Sequence, residues 1–238
     1  ETCLGNRCTH SRYFYFMQNK KMCEQSDLII TNHALLLQNI KLKSSILPKY
    51  DHVIIDEAHN LDEETTKQFT DTLDLEFLRK NNRQLIRKNS LLFRIIAKLK
   101  HLPHAGDVGV MVEENLNQLS EDVNQLESYI IDAIEYTFTV NDLKNTNETR
   151  ITEAIRQCNW WPQFLYHLEQ IGIIVTAINF RLLKIYNMLS LIDELEDLTR
   201  ELMFTQNWYK ERETLIQDFL KGDNPNNVYW IEYATSSW

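Results

Sequence analysis

Residues that break helices and strands are scarce in this chain. Only 5 of its 238 residues are Gly and only 4 are Pro, well below average usage. Few such residues mean few tight turns, which argues against a β-sandwich or barrel and favours long helices. The 4 cysteines are scattered, which excludes a disulfide scaffold. Because the unbroken apolar runs are short, we expect no membrane span.

The composition is that of a globular protein, with 43% apolar and 25% charged residues. That supply of apolar side chains is enough for a core and argues against disorder. The net charge of −9 is unevenly distributed. Residues 79–100 hold eight basic side chains and no acid, whereas residues 101–143 hold nine acids and no Lys or Arg. A basic segment is therefore followed by an acidic one.

Two short runs of branched apolar residues, 28–31 and 52–56, predict buried strands. A helical pattern lies between them, so this region favours a βαβ unit with parallel strands. After residue 62, apolar residues spaced three and four apart predict helices near 63–80, 83–101, 109–136, 149–157, 161–204 and 206–221. Residues 228–233 predict a last strand. The predicted fold class is α/β with a partial parallel sheet and a large all-α insertion.

Two adjacent carboxylates, Asp56 and Glu57, end the second predicted strand. Ligands of open α/β sheets bind beyond the carboxyl ends of the strands. At that edge one carboxylate can hold Mg²⁺ on a nucleotide, and the other can orient and deprotonate the water that attacks the γ-phosphate. We predict the first role for Asp56 and the second for Glu57. For this chemistry both acids must lie at a sheet edge and outside any helix; the alternative is an accidental, solvated acid pair.

Residues 53–61 read Val-Ile-Ile-Asp-Glu-Ala-His-Asn-Leu. This segment resembles the Walker B motif (motif II, a DEAH box) of superfamily-two helicases, and its His-Asn-Leu end resembles the DinG/XPD branch. Two other segments match that branch in the right order. Residues 3–8, Cys-Leu-Gly-Asn-Arg-Cys, resemble the cysteine cluster of its iron–sulfur domain, and residues 27–36, Asp-Leu-Ile-Ile-Thr-Asn-His-Ala-Leu-Leu, resemble its DIVVTNHALL segment. The resemblance covers about the first 62 residues.

The resemblance implies an ATP-dependent DNA helicase that acts in DNA repair, uses Mg²⁺ and moves 5′ to 3′ on single-stranded DNA. It also implies that His59 links the nucleotide site to a second motor domain. The implied domains are an iron–sulfur-like region (1–26), part of RecA-like motor domain 1 (27–62), a helical arch-like insertion (63–225) and a strand returning to motor domain 1 (226–238). The resemblance further implies a cytoplasmic protein of bacterial type that is a monomer and has no membrane partner.

The sequence Gly-x-x-x-x-Gly-Lys does not occur in the chain, so the loop that cradles phosphates is absent from it. The resemblance places that loop upstream and a second motor domain downstream. We therefore expect a part of a longer helicase that does not hydrolyse ATP by itself. Two alternatives stay open: a non-catalytic helical module that binds nucleic acid or protein partners, and an exonuclease-linked DinG relative.

The cysteines leave three alternatives open. A [4Fe–4S] cluster needs four thiolates; the resemblance gives Cys3 and Cys8 as two ligands and leaves Cys23 as a displaced third. A Zn²⁺ site formed by Cys3, Cys8, His10 and Cys23 is the second alternative, although its spacing is poor. A degenerate domain without metal is the third.

A basic stripe is predicted on one helical face. On a helical wheel, five basic side chains lie opposite an apolar face: Arg79, Arg83, Arg87, Arg94 and Lys98. Such a stripe suits the phosphates of single-stranded DNA. The alternatives are an ordinary solvated face, or neutralisation by acidic residues 107–135 on an antiparallel neighbour.

Asn32 and His33 stand at the predicted strand–helix junction. They resemble a position of the helicase family that faces the translocating strand. Helix N-capping by Thr31 or Asn32 is the alternative, and both interpretations can hold together. For Trp160 and Trp161, packing is favoured over base stacking.

Overall fold

The computed structural model describes residues 15–43, 46–102, 106–140, 148–222 and 224–232. The chain is mainly helical there, and it divides into a first unit, Glu1–Thr72, and a second unit, Leu73–Trp238. The helices are α1 (Tyr15–Glu24), α2 (His33–Lys41), α3 (Leu61–Phe69), α4 (Leu75–Leu85), α5 (Leu91–Leu99), α6 (Gly106–Glu135), α7 (Glu153–Arg156), α8 (Trp161–Leu189) and α9 (Glu196–Lys221). The strands are β1 (Glu148–Arg150) and β2 (Trp230–Glu232).

In the first unit, side chains at the end of α2 bind to the end of α3. Lys41 Nζ donates to the Gln68 carbonyl at 3.1 Å and to Asp71 Oδ1 at 2.8 Å. Gln38 Nε2 donates to Gln68 Oε1 at 2.5 Å. These contacts hold α2 against α3. The segments that precede the two helices therefore end at helices whose relative position is fixed.

The strands predicted at 28–31 and 52–56 are not formed. Both segments are without assigned strand structure, and the only sheet among the described residues is the pair β1–β2. Most of their apolar side chains lie in solvent, with Ile30 90% and Ile54 95% exposed, whereas Ile29 is half-buried. Such runs are typical of strands covered on both faces, and that cover requires neighbouring strands that the described part of the chain does not supply. The RecA-like parallel sheet is therefore not shown.

The second unit is built around α6, α8 and α9. Helix α8 buries a side chain at every third or fourth position, as expected for a core helix; the buried residues are Trp161, Phe164, Leu168, Ile171, Ile174, Val175, Ile178, Leu182, Ile185 and Leu189. Regular helical spacing of apolar residues was the signal in the sequence, and the prediction of mainly helical structure after residue 62 is confirmed.

Polar side chains join α8 to α9 along their contact. Thr176 Oγ1 donates to Glu213 Oε1 at 2.8 Å, and Asn179 Nδ2 donates to Glu213 Oε2 at 2.6 Å. Gln206 Nε2 in turn donates to Asn179 Oδ1 at 2.8 Å. The later residue of α8 meets the earlier residue of α9, so the two helices run antiparallel. The carboxylate of Glu213 is satisfied by donors from α8.

Helix α8 corrects the expectation that no segment could span a membrane. Among the described residues it is the helix that is long and apolar enough, by length and composition. Ten of its residues are buried within the protein. The burial pattern therefore accounts for its apolar composition through packing in the bundle.

Several predicted helices are broken where no Gly or Pro stands. The helix predicted at 63–80 is two helices, α3 and α4. The helix predicted at 83–101 corresponds to the last residues of α4 followed by α5. The helices predicted at 161–204 and 206–221 correspond to α8 and α9, with the break at an earlier residue than predicted. Asp74 Oδ1 accepts the Phe77 N–H at 2.8 Å, and Ser90 Oγ accepts the Phe93 N–H at 3.2 Å. These N-caps satisfy the first free N–H groups of α4 and α5, which allows each helix to begin there.

The predicted last strand is confirmed as β2. It pairs antiparallel with β1, with Thr149 opposite Ile231. Both strands belong to the second unit. The return of this strand to motor domain 1 stays a prediction.

Trp160 and Trp161 pack against other aromatic side chains, as the sequence analysis predicted. Trp161 is 5% exposed, and its ring centroid lies 5.4 Å from Phe164 and 6.4 Å from Phe219. Its role is to join the start of α8 to the end of α9.

Candidate functional site

The acid pair lies in an exposed turn of the first unit. Asp56 and Glu57 follow residues 52–55, which form neither helix nor strand, and precede a 3₁₀ turn, Ala58–Asn60. Glu57 has φ 50° and ψ 42°, in the left-handed region that residues with a Cβ rarely adopt. The pair thus lies outside any helix, as the chemistry requires, but no sheet edge is formed around it by the described residues.

Four interactions hold this turn. The Glu57 N–H donates to Asp56 Oδ1 at 2.9 Å, and the Asn60 N–H donates to the Glu57 carbonyl at 3.0 Å. His59 Nδ1 lies 3.3 Å from Glu57 Oε2. From the start of α2, His33 Nε2 lies 2.9 Å from the Asp56 carbonyl oxygen. A left-handed non-Gly residue persists only where its surroundings fix it, and these contacts do so.

The side chains of the turn are open to solvent. Glu57 is 68% and His59 72% exposed. Mg²⁺ prefers oxygen ligands and is usually held by one or two carboxylates together with waters and phosphates. The carboxylate of Asp56 fits such a site by its donor chemistry. Among the residues that the structure describes, no group of three or more His, Cys, Asp or Glu side chains could hold a metal ion.

Asn32 caps α2, which confirms the capping alternative: its Oδ1 accepts the Leu35 N–H at 2.8 Å. Next to it is an open hollow of about 390 Å³. Its lining comes from the two segments that resemble the helicase family and from the first turn of α3, and consists of Asn32, His33, Ala34, Asn60, Glu63 and Glu64. The sequence prediction did not include Asn60, Glu63 or Glu64. The signal for Glu63 and Glu64 was the run of acids that begins α3, because acidic residues are typical of helix starts and so mark the position of the first turn.

The basic stripe does not lie on one helix. Arg79 and Arg83 belong to α4, Arg94 and Lys98 belong to α5, and Arg87 lies in the turn between them. The prediction of a continuous stripe on a single helix is therefore wrong, because the chain breaks at residues 86–90. The binding of DNA by these side chains stays a prediction.

Most of these basic side chains have protein partners. Arg79 pairs with Glu76 at 2.7 Å, Arg83 with Glu127, and Arg94 with Glu201 at 2.5 Å, while Lys98 donates to the Glu194 carbonyl. The hydrogen bond between Arg83 and Glu127 raises the pKa of the guanidinium and lowers the pKa of the carboxyl. Glu127 lies in acidic residues 107–135, which the alternative interpretation assigned to neutralising the stripe. Within the described ranges Arg87 is exposed and has no acidic partner.

The cysteine prediction falls mostly outside the described residues, which do not include Cys3, Cys8 or His10. Cys23 lies in α1 as a half-buried free thiol. The cluster, the zinc site and the metal-free domain therefore all stay open.

Comparison with known proteins points to one family for the first part of the chain. Residues 3–76 match the DEAD_2 family. Over 77 residues the chain is 30% identical to the ATP-dependent DNA helicase YoaA of Haemophilus influenzae and 29% identical to YoaA of Escherichia coli. Each match covers 31% of this chain and 12% of the relative. No solved structure matches the chain.

The matched residues contain the Asp56–Glu57 turn, the Asn32–His33 helix start and the hollow between them. The resemblance stated from the sequence is therefore confirmed for this part of the chain. Over residues 3–76 the chain is similar to the DEAD_2 family and, within that similarity, to DNA helicases of the YoaA type.

Proposed function

We propose that this chain supplies the motif II segment and a helical arch-like domain to an ATP-dependent DNA helicase of the DinG/XPD type. The observation that carries the proposal is the exposed Asp56–Glu57 turn, bonded to the start of α2 within residues that match the DEAD_2 family. In the complete protein, ATP hydrolysis would drive movement 5′ to 3′ on single-stranded DNA. A cytoplasmic monomer is part of the same proposal.

Each residue of the turn has a separate role in the proposal. Asp56 holds Mg²⁺ through water, and the bound ion neutralises phosphate charge. Glu57 orients the attacking water and takes its proton. His59, beside Glu57 at 3.3 Å, contacts the second motor domain. Asn32 and His33 face the DNA strand from the hollow that they line.

The exposed apolar segments support the same proposal. Residues 28–31 and 52–55 carry branched side chains that lie in solvent. Pairing with further parallel strands of a motor domain would bury these side chains and satisfy their backbone groups. It would also place the Asp56–Glu57 turn at the carboxyl edge of a sheet, where the chemistry requires it.

A second candidate is a helical module that binds protein partners without catalysis. The paired basic side chains of α4 and α5 favour it, because Arg79, Arg83 and Arg94 already have carboxylate partners. An exonuclease-linked relative in which the motor only binds DNA is a variant of the first candidate.

The substitution Glu57→Gln in the complete natural protein tests the proposal. The amide keeps the size of the side chain but accepts no proton, so we expect ATP turnover to fall by roughly 100-fold or more while ATP binding persists. Asp51→Asn, at an exposed position just before the turn, is the matched control and should leave turnover unchanged. Normal turnover in Glu57→Gln would remove Glu57 from its role and favour the second candidate.

A further inference from the structure

One hydrogen bond reaches the acid turn from a distant part of the first unit. His33 Nε2 lies 2.9 Å from the carbonyl oxygen of Asp56, 23 residues further along the chain. A carbonyl oxygen only accepts, so Nε2 carries the hydrogen in this contact. The accepting carbonyl belongs to the peptide group that joins Asp56 to Glu57. His33 therefore fixes the plane of that peptide.

The orientation of this peptide decides where the Glu57 side chain points. Rotation of the peptide plane changes ψ of Asp56 and φ of Glu57 together, and Glu57 lies in the left-handed region at φ 50°. This region is sparsely populated for a residue with a Cβ, so a free turn would leave it. A return to negative φ would redirect the Glu57 carboxylate.

The other contacts of the turn come from the turn itself. Asp56 Oδ1, the Asn60 N–H and His59 Nδ1 all belong to residues within three positions of Glu57. Such contacts can move together with the turn. Among the described residues, His33 supplies the side-chain hydrogen bond that reaches the turn from another element.

The element that carries His33 is itself well anchored. Asn32 caps its first turn through the Leu35 N–H, and Lys41 at its other end binds Gln68 and Asp71 of the following segment. His33 is half-buried at the first position of α2. The donor is therefore presented from a helix that is fixed at both ends.

We propose that His33 is a positioning residue, which holds the Asp56–Glu57 peptide so that the Glu57 carboxylate faces the attacking water. The inference rests on the proposed function, because this role of His33 acts through Glu57 and is separate from the proposed contact of its helix start with DNA; measurement of ATP hydrolysis without DNA isolates it. His33 acts through a backbone carbonyl and exchanges no proton with the substrate.

The test compares His33→Leu with His33→Gln in the complete natural protein. Leu removes the donor, and Gln places an N–H₂ group near the position of Nε2. We expect His33→Leu to lower kcat for ATP hydrolysis by roughly 10- to 100-fold, as small displacements of catalytic groups do, with KM for ATP nearly unchanged. His33→Gln should recover most of the loss. His101→Leu, at an exposed position of the second unit, should behave as the parent protein.

The outcomes separate this inference from the proposed function. Full activity in His33→Leu, with Glu57→Gln inactive, would overturn the positioning role alone. Normal turnover in Glu57→Gln would overturn the proposed function and, with it, the positioning role. A loss in His33→Leu that Gln does not recover would also count against the role of the N–H donor.

A second test uses the unsubstituted 238-residue chain and requires neither ATPase activity nor a folded variant. The ¹⁵N chemical shifts of the His33 ring report which nitrogen carries hydrogen. We expect hydrogen on Nε2. A neutral ring with hydrogen on Nδ1 alone would place a lone pair against the Asp56 carbonyl and overturn the inference.

Discussion

Tyr209 of α9 donates a hydrogen bond to Oδ1 of Asn82 in α4, with 3.2 Å between the two atoms. The amide nitrogen of Asn82 donates to the Val123 carbonyl of α6 at 2.8 Å. Asn82 is 0% and Tyr209 1% exposed. One buried amide thus joins three helices of the second unit, and solvent is not available to replace either bond.

Removal of the phenol hydroxyl should destabilise the second unit. Tyr209→Phe leaves Oδ1 of Asn82 buried without a donor, which costs about 1–3 kcal/mol of unfolding free energy. Urea unfolding of the chain measures it. Tyr166→Phe, at a position 46% exposed on α8, is the control and should stay within about 0.5 kcal/mol of the parent. Equal effects of the two substitutions would contradict the importance of the buried bond.

The same residue should make the protein sensitive to alkali. Burial raises the pKa of the Tyr209 phenol above its ordinary value of 10.0. The unfolded chain therefore loses this proton first as the pH rises, so the contribution is complete below pH 10 and declines above it. We expect the Tm of the parent to fall more steeply above pH 10 than the Tm of Tyr209→Phe. Parallel curves would show that Tyr209 does not cause the decline.

The position of α8 in a core predicts unequal effects of two neighbouring substitutions. Ile178 is 0% exposed, whereas Phe180 is 65% exposed. Ile178→Ala should cost about 2–5 kcal/mol through the cavity that it leaves, and Phe180→Ala should cost about 0.5 kcal/mol or less. Chemical denaturation of the chain gives both values. A larger cost at Phe180 would mean that the outer face of α8 is covered.

The ion pairs of α4 and α5 predict which arginine binds DNA. Arg87 is exposed in the turn between these helices, while Arg83 is paired with Glu127. If the proposed function is right, Arg87→Gln should weaken single-strand binding more than Arg83→Gln does. The slope of log affinity against log salt should decrease by about 0.7 for a lost phosphate contact. Titrations at several salt concentrations measure this slope, and equal slopes for both variants and the parent would argue against phosphate contact at Arg87.

Helices of this protein were predictable because apolar spacing and the scarcity of Gly and Pro are local signals. The breaks before α4 and α5 were missed because only side-chain caps mark them. Asp74 and Ser90 are typical N-cap residues at the starts of α4 and α5, and they were readable as such. The pairing of Arg94 with Glu201 was not readable, because it joins residues 107 positions apart. It depends on how the helices pack.

At the candidate site, too, the residues could be predicted from the sequence, whereas contacts between distant segments could not. A motif identified Asp56, Glu57 and His33 as residues of interest, since motifs specify residue types and order. The left-handed backbone of Glu57 and the bond from His33 to Asp56 depend on the meeting of two segments. The missing sheet has a further cause: a strand buried on both faces needs partner strands, and its own sequence cannot provide them.

The polar chain that links α8 to α9 also restricts how this helix pair can move. A slide of one helix past the other by a full turn, about 5.4 Å, would strip Glu213 of its donors Thr176 and Asn179. The two donors of Glu213 therefore fix the register between α9 and α8, a helix about 43 Å long.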